Sequence, residues 1–428
     1  MIFCKKAGWG MALLFLCLIF GTGRTQKIEA AVQNVSESLE EESRLDTVGT
    51  DQETERAAVR EKKGQQEKEA GDTETDQAAA AQDELLAELD FDAIQQEVDS
   101  LLSSQQFSFA GTVRSLLQDG DPFRIFRAGN AVLSCAKTAF LAQKGLMKEL
   151  FLLVLAGAVL GSFSSLFEGK QVRDASFYMV YLLALALILK NFQSSGENLK
   201  AVITSLVAFM RILTPSYYLA AAAAGGASSA VMFYQMLLLV ILAVEKLLLA
   251  LVLPMIHIYL LIALVNDLSG EEILSHMTEL LETCVNGLLK SSLGVLVGMQ
   301  MIRNLIAPAL DSLRQMALWR TAGMIPGIGN AVNAVTELVA GSAVLIRNCF
   351  GVTAMLVLLA AGMVPAVQLL VSGLSFRLLA AAAQPVSDKR IAGCLAAAGK
   401  GYAMLLRLLL TVEVLFLLTI AILAGTFS

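Results

Sequence analysis

The chain has 428 residues, of which 56% are hydrophobic and 16% are charged, and its formal net charge is −6. A soluble globular domain carries roughly 25% charged residues, so this composition favours an integral membrane protein. Six cysteines without a CxxC spacing and two histidines exclude a disulfide scaffold, a cysteine metal site and a histidine-rich metal centre.

The charge is unevenly distributed along the chain. Residues 1–30 carry a net charge of +3, residues 31–105 carry −15 and residues 106–428 carry +6. We therefore predict an acidic, water-soluble arm that is followed by a mildly basic, lipid-soluble body.

Residues 1–30 have the order of a secretory signal peptide. Lys5 and Lys6 precede an apolar run over residues 11–20, which is followed by Gly21. Because this run is short for a hydrocarbon core about 30 Å thick, an uncleaved signal anchor is the second interpretation. In either case the segment that follows is predicted to lie outside the cytoplasm.

Residues 31–82 are predicted to be a disordered acidic linker. They are rich in Glu, Gln, Thr, Ala and Asp and contain almost no aromatic or branched apolar side chains. Such a segment cannot bury enough surface to offset the entropy lost on ordering. It is either a docking tail or a solvated linker.

Residues 83–148 are predicted to be an amphipathic helical segment outside the cytoplasm. Apolar residues recur there at helical spacing among acidic ones. They are Leu85, Leu86, Leu89, Ile94, Val98, Leu101, Leu102, Phe107, Phe109, Val113, Leu116 and Leu117. This segment either docks a partner or packs on the membrane domain.

Residues 149–428 are predicted to be an all-α, polytopic transmembrane bundle of about six to eight spans with broken helices. Its apolar runs cover residues 150–167, 176–192, 201–219, 229–253, 255–266, 284–306, 331–347, 350–373 and 402–424. The basic loop over residues 387–400 is predicted to be cytoplasmic.

Proline and small residues are the most informative feature of this domain. Pro215 and Pro254 are 39 residues apart, as are Pro326 and Pro365. Helix breaks at matching places in two halves are typical of internal repeats in transporters. The density of small residues favours a tightly packed bundle or a homo-oligomer. The candidate helix breaks and close-packing positions are Pro215, Gly225, Gly226, Pro254, Pro326, Gly329, Gly351, Pro365 and Pro385.

Several ionisable residues lie inside apolar runs, where an isolated charge is costly. Glu245, Lys290, Glu337 and Glu413 are candidates for an intramembrane polar path. Arginines near the segment ends, such as Arg347, are interpreted as snorkelling side chains with local pairing. His257 is interpreted as a satisfied histidine of the bundle and not as a proton relay. For the acidic candidates the alternative to a polar path is local pairing.

Catalytic motifs are absent from the sequence. It contains no Walker A loop, HExxH, GxSxG or helix-opening GxGxxG. We therefore predict no enzyme, no catalytic residue, no metal and no cofactor. The protein is predicted to contact the lipid bilayer and no nucleic acid. Any energy for transport would come from a partner protein or from a gradient.

The order of these features resembles the stage III sporulation protein AE family. A signal peptide and a polar head precede the membrane block, and the resemblance covers roughly residues 85–428. Its motifs are Thr214-Pro215, Gly225-Gly226-Ala-Ser-Ser-Ala230 with Phe233, Ile325-Pro-Gly-Ile-Gly329, Leu345-Ile-Arg-Asn348 with Gly351, Pro365-Ala-Val-Gln-Leu-Leu370 and Phe376-Arg-Leu-Leu-Ala-Ala-Ala-Ala-Gln-Pro385.

The resemblance implies a non-enzymatic, multi-pass subunit of the stage III sporulation A complex, in the mother-cell membrane around the forespore. This secretion complex is channel-like, and late forespore development depends on it. The partners that the family implies are a secretion-type ATPase, small membrane proteins and ring-forming proteins. The subunit would be a channel base, an export gate or a platform. A self-sufficient secondary transporter with an internal repeat is the alternative, which the paired prolines and intramembrane acids suggest.

Overall fold

The computed structural model describes residues 90–102, 107–119, 129–164, 170–221, 239–269, 274–322, 329–385 and 387–425. The chain divides into two units, Met1–Ala87 and Glu88–Ser428, and all described residues belong to the second. The predicted signal peptide and acidic linker therefore lie outside the described residues.

All regular structure in the described residues is helical, which confirms the predicted fold class. The helices are α1 (Phe91–Leu101), α2 (Phe109–Asp119), α3 (Gly129–Ser164), α4 (Lys170–Ala221), α5 (Leu239–Ser269), α6 (Ser275–Ala322), α7 (Gly329–Ala383) and α8 (Lys389–Gly425).

Five described segments are long and apolar enough to cross a membrane. They are Tyr178–Leu219 in α4, Leu239–Ser269 in α5, Ser275–Met299 in α6, Gly341–Ala383 in α7 and Lys389–Ala421 in α8. The sequence predicts more spans because it separates runs that the structure joins. Residues 176–192 and 201–219 both lie in α4, and residues 331–347 and 350–373 both lie in α7.

The prolines inside α4 and α7 do not break these helices, in contrast to the sequence-based expectation. α4 continues through Pro215 and α7 continues through Pro365. A proline removes one backbone hydrogen bond, but transmembrane helices tolerate this when neighbouring groups compensate. Next to Pro215, the hydroxyl of Thr214 donates a hydrogen bond to the carbonyl of Met210.

Pro254 has a local effect on α5. The five residues Leu248–Val252 form a π-helical turn, and the amide of Leu253 donates to the carbonyl of Leu248. Single π turns inside α-helices are rare and often occur at functional sites. Pro385 lies in the turn between α7 and α8, two residues after α7 ends at Ala383.

Helices α1 and α2 form a hairpin that packs on the membrane domain. Gln95 of α1 holds the two helices together, since its side-chain amide donates to the carbonyl of Phe107 at 2.7 Å and accepts from the amide of Phe109 at 2.8 Å. α1 contacts α4, and α2 contacts α7. Phe109 meets Phe350 of α7 edge to face, with ring centroids 5.0 Å apart. Of the two interpretations of this segment, the structure shows packing on the membrane domain.

The most extensive contact between described helices joins α7 and α8. A methyl group added at Gly351 would lie 3.7 Å from Ile420, and one added at Gly373 would lie 3.2 Å from Tyr402. Because the residue numbers rise along α7 while they fall along α8, the two helices are antiparallel. Glycine allows this close approach, as small residues do at helix interfaces in lipid.

Candidate functional site in the helix bundle

Glu413 of α8 is the most deeply buried of the four predicted path residues, with 1% of its surface exposed. Its carboxyl group contacts Gly362 of α7 so closely that a methyl group added at this glycine would overlap it. The Oε2 atom of Glu413 has no hydrogen-bond partner among the described residues. An acidic side chain therefore lies directly in the α7–α8 interface.

Glu245 of α5 lies in a different environment. It forms an ion pair with Arg211 of α4 at 3.2 Å, and the exposed fractions of the two side chains are 14% and 52%. Glu245 also lines a narrow cleft, whose other lining residues come from α4, α5, α6 and α8. All of these other residues are uncharged, so Glu245 is the charged group at an otherwise mostly apolar cleft.

The remaining two path candidates do not join these acids. Lys290 is exposed on α6. Glu337 lies in α7, and its side chain is outside the described part of the molecule. Glu413 faces α7, whereas Glu245 pairs with α4, so these two carboxylates are held by different helix contacts. A single polar path through all four residues remains a prediction.

A polar cluster that the sequence did not reveal joins α4 to α8. The amide of Asn191 donates to the hydroxyl of Tyr402 at 2.7 Å, and the hydroxyl of Ser195 lies 3.2 Å from the same oxygen. The ring of Tyr402 is fully buried and stacks on Phe376 of α7, with centroids 5.2 Å apart. The three residues therefore anchor α4 to the α7–α8 pair.

One sequence feature could have located the α4 half of this cluster. It is a helical periodicity that continues from one apolar run to the next. Residues 193–198 are polar or glycine and separate the runs in the sequence, yet they lie inside α4. The buried residues Ile188, Phe192, Leu199 and Ile203 are four, seven and four residues apart, which corresponds to one or two helical turns. Periodicity alone identifies this helix, but it does not identify Tyr402 as the partner.

His257 of α5 lies beside this cluster and is held by local contacts. Its Nδ1 atom is 2.9 Å from the carbonyl oxygen of Leu253, so Nδ1 carries the hydrogen and donates it. Its ring meets Phe192 edge to face at 5.3 Å. A methyl group added at Gly196 would lie 2.5 Å from Nε2. The structure agrees with the interpretation of a satisfied histidine.

Arg347 of α7 is fully buried, with 0% of its surface exposed. The interpretation of this arginine as a snorkelling side chain is therefore wrong. Tyr217 of α4 lies within range for electrostatic interaction with it. Gly351, one turn further along α7, leaves room for the ring of Tyr217, since an added methyl group would lie 3.4 Å from it. The tightly packed contact between α4 and α7 thus buries the arginine.

The small-residue positions divide into three groups. Gly225, Gly226 and Pro326 lie outside the described residues, and Gly329 is the first residue of α7. Gly351 and Gly362 lie at helix contacts. The glycine stripe of α6 differs, because no atom lies within 4 Å of a methyl group added at Gly287, Gly294 or Gly298.

We expect the replacement of Tyr402 by phenylalanine to lower the free energy of unfolding by about 1–2 kcal/mol, because the amide of Asn191 loses its buried acceptor. The measurement is a denaturant-unfolding series in detergent for Tyr402→Phe, Asn191→Ala and the double variant. Because both single changes remove the same hydrogen bond, their effects should be less than additive. Strict additivity would contradict the bond.

These features define an all-helical, multi-pass membrane protein. The model of the family described as stage III sporulation protein AE matches residues 107–426, and the chain belongs to that family. The stage III sporulation protein AE of Bacillus subtilis (strain 168) is 22% identical over 291 residues, which are 67% of this chain and 73% of that protein. No solved structure matches the chain. The resemblance inferred from the motifs is thus confirmed.

Proposed function

We propose that the protein is a non-enzymatic membrane subunit of the secretion complex that connects the mother cell to the forespore and is needed for late forespore development. The observation that carries this proposal is the family match over residues 107–426, which extends from α2 to the end of α8. The proposed location is the mother-cell membrane around the forespore, with the N-terminal arm outside the cytoplasm.

Within this complex, the proposed role of the protein is that of an export gate, a channel base or a platform. The cleft between α4, α5, α6 and α8 supports a gate, because it is mostly apolar and has one charged residue, Glu245. The proposed partners are a secretion-type ATPase, small membrane proteins and ring-forming proteins. The ATPase is the proposed energy source.

The uncovered face of α6 supports a role as a subunit of an assembly. The spanning part of α6 is 22% buried, which is the lowest share among the five candidate spans. Gly287, Gly294 and Gly298 lie on this face without neighbouring atoms, and Lys290 is exposed beside them. Small residues and an uncovered charge favour a protein neighbour in lipid.

The test is deletion of the gene in its endospore-forming host, followed by complementation and a count of heat-resistant spores. We expect the deletion strain to stop after engulfment and the wild-type gene to restore the spores. A normal spore count in the deletion strain would contradict the proposal and bring forward a self-sufficient transporter. That alternative predicts substrate flux when the purified protein is reconstituted in liposomes.

The same strain distinguishes a gate from a platform. Complementing genes would carry Glu245→Gln or Glu337→Gln, and membrane levels of each variant would be compared with the wild type. A stably expressed variant that fails to restore the spores supports a polar path at that residue. Full rescue by both variants supports a platform.

A further inference from the structure

The interface between α7 and α8 contains two polar groups that lack their usual partners. The first is the carboxyl group of Glu413, which is 1% exposed, contacts Gly362 and has no hydrogen-bond partner for Oε2 among the described residues. The hydroxyl groups of Thr411 and Thr419, which are near it in α8, each donate to a carbonyl of their own helix at 2.8 Å. These hydroxyl groups therefore do not donate a hydrogen bond to Glu413.

The second group is the backbone carbonyl of Ala361. In an α-helix this carbonyl would accept the amide hydrogen of the residue four positions later. That residue is Pro365, which has no amide hydrogen, and α7 continues through it. Ala361 is buried, so water does not replace the missing donor freely. The carbonyl belongs to the peptide group that joins Ala361 to Gly362, which is the glycine that Glu413 contacts.

In the part of the chain that the structure describes, Glu413 forms no ion pair with a charged group of a surrounding helix. Glu245 of α5 is paired with Arg211 of α4, and Lys290 of α6 is exposed. Arg347 lies fifteen residues before Gly362 in α7, which corresponds to about 22 Å along the helix. An isolated carboxylate is costly in hydrocarbon, whereas a carboxylic acid is a neutral hydrogen-bond donor.

We propose that Glu413 is a proton-binding site within the membrane, and that its carboxylic acid donates a hydrogen bond to the carbonyl of Ala361. Protonation makes the carboxyl group neutral and gives it a hydrogen. It can donate this hydrogen to the carbonyl of Ala361, which receives none from Pro365. A metal cation would need several oxygen ligands, but Val412 and Val414 beside Glu413 are apolar and Gly362 has no side chain. The site therefore suits a proton.

The cleft adjoins this part of α8, and its lining does not include Glu413. Val412 and Phe416, which precede and follow Glu413 in α8, both line the cleft, as does Glu245. Loss of the proton would place a negative charge in the close α7–α8 contact at Gly362. The α7–α8 interface is then the element that responds to protonation. This inference does not depend on the proposed role in sporulation.

The test is infrared spectroscopy of the purified full-length protein in lipid nanodiscs, titrated from acidic to alkaline pH. At neutral pH we expect a carbonyl-stretching band of a protonated carboxylic acid that disappears as the pH is raised. The band should be absent from Glu413→Gln and retained in Glu245→Gln. Identical wild-type and Glu413→Gln spectra at every pH would overturn the proposal.

Two further measurements keep the test independent of whether a variant folds. Wild-type protein that contains carboxyl-¹³C-labelled glutamate should shift the band, and the absence of a shift would assign the acid to an aspartate and overturn the proposal. At constant pH, loss of the band on replacing potassium chloride by sodium chloride would assign the site to a cation instead.

A third variant tests the proposed acceptor. In Pro365→Ala the introduced alanine supplies an amide hydrogen to Ala361, so the carboxylic acid loses its acceptor. We expect the carboxylic acid band to move to higher frequency, as weaker hydrogen bonding requires. An unchanged band position in a folded Pro365→Ala protein would overturn the assignment of Ala361.

Discussion

Replacing Gly401 with leucine is expected to destabilise the bundle by about 1–3 kcal/mol, because overpacking forces side chains and backbone out of place. A methyl group at Gly401 of α8 would already lie 2.9 Å from the ring of Phe192 and 3.6 Å from Leu260. That ring cannot move aside easily, since His257 and Tyr402 flank it with centroids 5.3 and 5.2 Å away. The larger leucine side chain would separate α8 from α4 and α5.

The matched control is Gly294→Leu in α6, where an added methyl group meets no atom within 4 Å. Both variants exchange glycine for leucine inside a helix. The higher helix propensity of leucine therefore stabilises both by the same amount, about 1 kcal/mol. The measurement is thermal and denaturant unfolding of the purified proteins in detergent. Equal stability of Gly401→Leu and Gly294→Leu would contradict the close contact between α8 and α4.

Replacing Phe109 with alanine is expected to cost about 3–5 kcal/mol, because it removes a fully buried aromatic side chain and leaves a cavity. Phe109 is the ring through which α2 contacts the membrane domain, since it lies between Phe91 and Phe350 with centroids 6.3 and 5.0 Å away. Its loss should release the α1–α2 hairpin while α7 and α8 keep their contact.

Hydrogen exchange measures this release segment by segment. In Phe109→Ala we expect the amides of Phe91–Leu101 and Phe109–Asp119 to lose protection, while those of α8 keep it. Arg114→Ala is the control, because Arg114 is exposed on α2 and its removal should change stability by less than about 0.5 kcal/mol. Wild-type protection of the hairpin in Phe109→Ala would show that the aromatic contact does not hold it.

The sequence was a good guide to the fold wherever periodicity is local. Ile94 and Val98 mark the buried face of α1, and Phe109 and Val113 mark that of α2. Proline was a poor guide, because Pro215 and Pro365 weaken a helix without ending it when the surrounding bundle supports the backbone. The polar stretch over residues 193–198 separates two apolar runs in the sequence but does not interrupt α4.

The candidate site was predictable only where one residue is conspicuous by itself. Glu413 is an acidic residue inside a long apolar run, so its importance can be inferred from the sequence. Its neighbour Gly362 and the bond between Asn191 and Tyr402 depend on helix packing between distant parts of the chain. The pairing of Glu245 with Arg211 likewise joins two helices. No local pattern encodes such contacts.

The antiparallel contact between α7 and α8 is the feature on which the Glu413 site depends, and disulfide trapping in native membranes tests it directly. In a cysteine-free background, Gly351→Cys combined with Ile420→Cys should form an intramolecular disulfide on oxidation, since an added methyl group at Gly351 lies 3.7 Å from Ile420. Gly351→Cys combined with Leu409→Cys should not, because eleven residues correspond to about 16 Å along α8. Trapping of the second pair instead of the first would contradict this arrangement of the bundle.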